Sequence, residues 1–168
     1  MQILNATQQD IPQIFELYDL GTQFQATVNS RQWQGFENEL VTQDIQDLRL
    51  FKIVEGNEMA CIFTLTFNDP QIWKEKSVDK AIYIHRIATN PAFRGRGYVK
   101  HIVDWAKTYC AQNDVDYIRM DTWSDNEKLR QYYVDCGFTY VGLSQIIPSP
   151  DLPSHYTFSE GSLFEIKL

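Results

Sequence analysis

Cysteine is scarce in this chain. Cys61, Cys110 and Cys136 are the only three in 168 residues. An odd number at wide spacing excludes a disulfide framework and a zinc-ligand pattern. Each lies in an apolar stretch, so buried free thiols in a reducing cytoplasm are expected. Long apolar runs are also missing, and none approaches the roughly 18 residues of a membrane span. The stretch Met1–Asp10 carries neither a basic n-region nor an apolar h-region, so secretion is not expected. Positive charge is in deficit: 15 Lys and Arg stand against 22 Asp and Glu, a net −7. That balance argues against a generic binder of nucleic acid or of an anionic membrane. Neither an internal repeat nor a low-complexity tract is present. A soluble cytoplasmic protein is the expectation.

Apolar residues are plentiful, at 43% hydrophobic and 14% aromatic, enough for a sizeable core. The length suits a single domain spanning 1–168. A short strand at Ile3-Leu4 precedes a helix starting at Asp10-Ile11-Pro12, with Asp10 as N-cap and Gly21 as its end. A second helix is predicted over 31–41. Strands over 48–54 and 59–67 flank a hairpin turn at Glu55-Gly56-Asn57-Glu58. A polar connection, Asn68 to Lys80, holds an exposed-looking Trp73. Further strands are predicted over 81–88, 117–122 and 139–147, with a last one near Leu163–Ile166. Helices are predicted over 97–112 and 126–136, the second stopped by Gly137. Hairpins followed by a strand–helix–strand crossover make this mixed α/β.

The strongest chemical signal is Arg94-Gly95-Arg96-Gly97-Tyr98-Val99, between a β-branched strand and an amphipathic helix. Glycines let the backbone approach a ligand and adopt positive φ. Successive N–H groups and a helix start can hold an anion, and Arg94, Arg96 and Lys100 add local positive charge. A pyrophosphate is the natural guest. A tight turn with solvated arginines is the structural alternative. The loop is neither a Walker loop nor GxGxxG, and no magnesium ligands follow it.

The segment His85 to Tyr98, reading His-Arg-Ile-Ala-Thr-Asn-Pro-Ala-Phe-Arg-Gly-Arg-Gly-Tyr, resembles the coenzyme A motif of the GNAT superfamily of N-acyltransferases. Asp125 to Phe138 is similar to the second family motif, Asn-x-x-Ala-x-x-Leu-Tyr-x-x-x-Gly-Phe. The sequence departs from the pattern at Val99, where Gly or Ala is usual, at Leu129 for Ala and at Tyr132 for Leu. The resemblance implies a mixed, mostly antiparallel sheet of about seven strands, with helices on both faces and a splayed parallel pair at the coenzyme A site.

It also implies roles. Acetyl-CoA would be the acyl donor, with no metal. Ile87, Ala88 and Thr89 would offer main-chain groups to the pantetheine. Arg94, Gly95, Arg96, Gly97, Tyr98 and Val99 would take the pyrophosphate. Asn126 would touch coenzyme A near the pantetheine arm, compatible with an N-cap. Tyr133 matches the general-acid tyrosine that protonates the departing thiolate. On spacing alone the stripe Leu129, Tyr132, Tyr133 and Cys136 reads as core. His85 is the candidate base, since imidazole titrates in the right range. A structural histidine on a half-buried strand fits it equally. Strand alternation groups Tyr83, His85 and Ile87 on one face, so Tyr83 could share the site or relay through water. The acceptor pocket is expected from Phe24 to Phe36, the loop around Trp73, and Pro148 to Phe158, with Trp33, Trp73, Trp123 and Tyr156 available.

The expected activity is acetyl transfer to a primary amine of a small molecule. Transfer to a protein or peptide amine, and a coenzyme A-binding module without catalysis, are the alternatives. A homodimer is compatible with the sequence.

Overall fold

A computed structural model describes residues 1–28, 31–124, 126–146 and 160–168. Among the described residues, seven strands make one sheet: β1 (Gln2–Asn5), β2 (Leu50–Glu55), β3 (Glu58–Thr66), β4 (Ala81–Thr89), β5 (Tyr117–Trp123), β6 (Thr139–Gln145) and β7 (Glu160–Lys167), in the order β1-β2-β3-β4-β5-β7-β6. The helices are α1 (Ile11–Thr27), α2 (Asn38–Gln46), the single turn α3 (Pro70–Trp73), α4 (Tyr98–Asn113) and α5 (Glu127–Asp135). The mixed α/β class and the seven strands agree with expectation. β4 and β5 are parallel, so the chain needs a long crossover between them, and α4 supplies it. β1–β2, β2–β3, β5–β7 and β6–β7 are antiparallel. No helix among the described residues is long and apolar enough to cross a membrane.

The chain forms two compact units. The first comprises Met1–Leu65 and His85–Tyr98, the second Thr66–Ile84 and Val99–Leu168. In the first, Gly56 at φ 61° turns β2 into β3. Met59 to Leu65 are all buried, as in a strand covered on both faces. Its core gathers Ile14, Leu17 and Tyr18 of α1, Val41 and Ile45 of α2, and Leu50, Met59, Ile62 and Ala88.

Several expectations change here. Gly21 does not end the first helix, which runs on to Thr27. Its missing side chain serves packing instead, because a Cβ there would lie 3.0 Å from the Trp33 ring. Asp10 stands at the N-cap position but makes no side-chain cap to α1. Its carboxylate accepts from the Thr7 N–H at 2.7 Å, closing a capping box on the preceding 3-10 turn, and from Lys52 Nζ at 2.7 Å. Burial raises its pKa, but the Lys52 and Thr7 hydrogen bonds overcome that and hold it below the usual range. The second helix begins at Asn38 rather than near Arg31. Trp33 and Phe36 lie in irregular chain and pack on Tyr18, with ring centroids 5.8 and 4.4 Å away.

In the second unit, Ile72, Trp73, Ala81, Tyr83, Trp123, Ile146 and Leu163 form the core. Trp73 is therefore buried, not exposed, and the supposed polar connection folds into α3 and a 3-10 turn over Lys74–Val78. Arg119, fully buried on β5, stands against it, with its guanidinium 4.6 Å from the Trp73 ring centroid and 4.6 Å from that of Tyr117. Arg119 donates to Glu165 Oε2 and the Lys76 carbonyl at 2.7 and 2.6 Å, and to Asp79. All three cysteines are free and buried, as expected.

Candidate active site

The glycine loop lies in the first unit up to Tyr98. Asn90 prepares it: its N–H donates to the Ala60 carbonyl at 2.9 Å, its Nδ2 to the Met59 carbonyl at 3.2 Å, and its Oδ1 accepts from the Ala92 N–H at 3.0 Å. This ties the end of β4 to β3 and starts a 3-10 turn, Pro91–Phe93. Gly95 and Gly97 then take φ of 82° and 72°, the left-handed region that glycine enters without strain. No heavy atom lies within 4 Å of where a Cβ would stand on either. Arg94, Gly95 and Arg96 are exposed. The loop therefore presents backbone to open space immediately before the sixteen-residue helix α4. Main-chain N–H groups at a helix start suit an anion, so these residues fit a diphosphate.

The cations of the loop are anchored rather than loose. The Arg94 guanidinium lies 4.0 Å from the Phe24 ring centroid, and that of Arg96 lies 4.7 Å from Phe93. Arg96 Nη1 also donates to Glu55 Oε2 at 2.6 Å, and the Tyr98 hydroxyl donates to Glu55 Oε1 at 2.6 Å. The Tyr98 hydrogen bond, joined by Arg96, holds the Glu55 carboxyl below its usual range. Burial and the Glu55 carboxylate push the Tyr98 phenol up to about 12.

Strand β4 carries the other residues. Its parallel register with β5 covers Ala81 to Ile84 only, and the strand continues to Thr89. Arg86 sits at φ 52° within it. A left-handed residue inside a strand breaks the alternation of side chains. The expectation that Tyr83, His85 and Ile87 share one face is thus corrected beyond His85. Asp44, 2% exposed, pairs with Arg86 and with Arg49 at 3.1 Å. His85 and Ile87 are half-buried, Ala88 is in the core, and the Thr89 hydroxyl donates to Cys61 Sγ at 3.5 Å. Burial pushes the Cys61 thiol up to about 12, so it stays protonated. Tyr83 is fully buried in the second unit, where its hydroxyl accepts from Arg119 at 3.2 Å. It is engaged in packing and does not offer a solvent relay.

Val99, Asn126 and Tyr133 belong to the second unit. Val99 is buried on the first turn of α4. Asn126 caps α5, its Oδ1 accepting from the Leu129 N–H at 2.9 Å. Tyr133 is 8% exposed, with Phe164 and Phe138 edge-on at 5.3 and 6.4 Å. Tyr132 is 40% exposed, so it lies outside the core that the stripe Leu129, Tyr132, Tyr133 and Cys136 implied. Gly137 takes φ 104° after α5, the stop that was expected. Trp33 and Trp123 are engaged in packing. Pro148 to Phe158, with Tyr156, and Asp125 lie outside the described residues.

Sequence reasoning missed Glu55, Asp44 and Arg119. Glu55 reads as one more turn residue, because its partners lie 41 and 43 positions away. Arg119 does carry a signal: a charged residue between Ile118 and Met120 in a strand must find partners if buried.

Residues 14–138 match the Acetyltransferase (GNAT) family. The chain is 27% identical over 124 residues, 67% of each protein, to the uncharacterized N-acetyltransferase YesJ of Bacillus subtilis (strain 168). Its fold is similar to that of a GNAT-family acetyltransferase from Listeria monocytogenes 4b F2365, with a TM-score of 0.78 at 24% identity, covering 99% of this chain and 94% of that one. It is also similar to one from Streptococcus agalactiae 2603, with a TM-score of 0.77 at 19% identity, covering 99% and 95%. The family match spans both the glycine loop and Tyr133, and the chain belongs to the GNAT family of N-acetyltransferases, acyl-transferring enzymes that generally use acetyl-CoA.

Proposed function

We propose that the chain transfers the acetyl group of acetyl-CoA to the primary amine of a small molecule. The observation that carries this is the exposed, anchored loop Arg94–Tyr98, with two left-handed glycines opening onto α4. Bound acetyl-CoA supplies the activated acyl carbon and a thiolate leaving group. The chain's residues take their roles one by one. The N–H groups from Arg94 to Val99 hold the diphosphate. Main-chain groups of Ile87, Ala88 and Thr89 receive the pantetheine, with Asn126 beside the arm. His85 accepts the proton that the attacking amine loses as its nitrogen bonds to the acyl carbon and the C–S bond breaks. The Tyr133 hydroxyl protonates the departing sulfur. The net charge of −7 favours a cationic acceptor, as free amines are near neutral pH.

A screen of acyl-CoA donors against pooled amines, reading thiol release, tests the proposal. Release that requires a small amine supports it. Release only with peptide N-termini or lysines would move the acceptor to protein. Tight coenzyme A binding with no release would make the chain a binding module.

Gly97→Ala should keep the fold and lose coenzyme A affinity about tenfold, since an L-residue at this φ costs about 1–2 kcal/mol and the loop shifts to relieve it. Calorimetry with coenzyme A reads this, and unchanged affinity would remove the loop assignment. His85→Gln should lower kcat about 10²-fold, the low end of the range for a general base, and shift the pH profile, with coenzyme A affinity nearly intact. A parental rate and profile would transfer the role to water or to the acceptor's own ionisation.

A further inference from the structure

We infer that Glu55 is a positioning residue for donor binding: its carboxylate clamps both sides of Gly97 and so fixes where the loop's N–H groups point. The inference rests on the reading of Arg94–Tyr98 as the diphosphate loop. One carboxylate oxygen accepts from Arg96 Nη1 and the other from the Tyr98 hydroxyl, each at 2.6 Å. These partners immediately flank Gly97, the residue whose φ of 72° turns the chain into α4.

Glu55 is itself well placed to act as an anchor. It is the last residue of β2, held by the hairpin register opposite Glu58. Two like charges directly across a hairpin repel, so this glutamate is unfavourable for the hairpin alone. The Arg96 guanidinium offsets that charge. With Arg94 on Phe24 and Arg96 on Phe93, the clamp gives the loop its shape before any ligand arrives. A loop already ordered does not lose that conformational freedom on binding, which is the source of preorganised affinity.

Two effects of removing Glu55 oppose each other, and their signs differ. Deleting a negative charge beside an anion site should tighten binding by Coulomb attraction. Releasing Arg96 and Tyr98 should weaken it by disordering the loop. Both Glu55 and Arg96 are partly solvent-exposed, at 26% and 52%, so water and salt screen the first effect. The second effect therefore prevails.

Glu55→Ala should weaken coenzyme A binding about tenfold by calorimetry and raise KM for acetyl-CoA by a similar factor, with kcat at saturating donor unchanged. Amide exchange over Gly95–Tyr98 should quicken. Glu55→Gln keeps an acceptor oxygen and should restore part of the affinity. Should Glu55→Ala fail to fold, Tyr98→Phe, which deletes one arm of the clamp, should show the same direction of loss. Equal or tighter binding in a folded Glu55→Ala protein overturns the inference. Gly97→Ala separates the two readings: if it weakens binding and Glu55→Ala does not, only the positioning role fails. If neither weakens binding, the loop reading fails with it.

Discussion

Tyr133→Phe is expected to lower kcat by about 10²–10⁴-fold, the range for loss of a general acid. The substitution keeps the ring and deletes only the hydroxyl. The ring is what packs, with Phe164 and Phe138 edge-on to it and only 8% of the residue exposed. Thermal stability should therefore hold to within about 1 kcal/mol, the net worth of an ordinary hydrogen bond. Coenzyme A affinity should also hold. Steady-state kinetics with an identified amine, beside a melting curve, check both halves. A fall in stability with unchanged turnover would mark Tyr133 as a core residue whose hydroxyl is satisfied internally. A parental rate in the Phe variant would leave thiolate departure to water or main-chain donors.

Arg119→Ala is expected to destabilise the second unit by about 3–5 kcal/mol, the cost of removing one partner from a buried charge cluster. For a chain of this size that lowers Tm by roughly 10–15 °C. Arg119 is 1% exposed and holds Asp79, Glu165, the Lys76 carbonyl and the Tyr83 hydroxyl at once. Burial disfavours its charge, but Asp79, Tyr83 and Glu165 more than compensate, and its pKa is raised. Its loss leaves Glu165, whose side chain is 18% exposed, without its guanidinium, and opens space beside Trp73 and Tyr117. Arg119→Lys restores the charge but not the planar fork, so it should recover only part of the stability. Thermal unfolding of both variants by circular dichroism reads the effect. A shift under about 1 kcal/mol for Arg119→Ala would show that the cluster contributes no more than a surface ion pair.

Elements with a local cause were legible in the sequence. The Gly56 turn, the Asn126 cap and the Gly137 stop each depend on residues within a few positions, and each stands where expected. Gly21 shows the limit of that reasoning. A glycine in a helical pattern reads as an end, yet here it makes room for Trp33, twelve residues further along the chain. Trp73 shows it again. A polar sequence around a tryptophan reads as an exposed loop, but Arg119 and the core of the second unit bury the ring.

By itself the sequence determined the class of the fold, the glycine loop before an amphipathic helix, and the two motifs that resemble the family. These are patterns of period, turn chemistry and spacing, and short-range sterics and hydrogen bonding set them. Tertiary structure alone decided that β7 lies between β5 and β6, that Arg86 breaks the alternation of β4, and that Glu55 clamps the loop. Each depends on partners tens of residues apart. Strand order and ion pairing at that range follow from what the folded core brings together, and no local pattern encodes them.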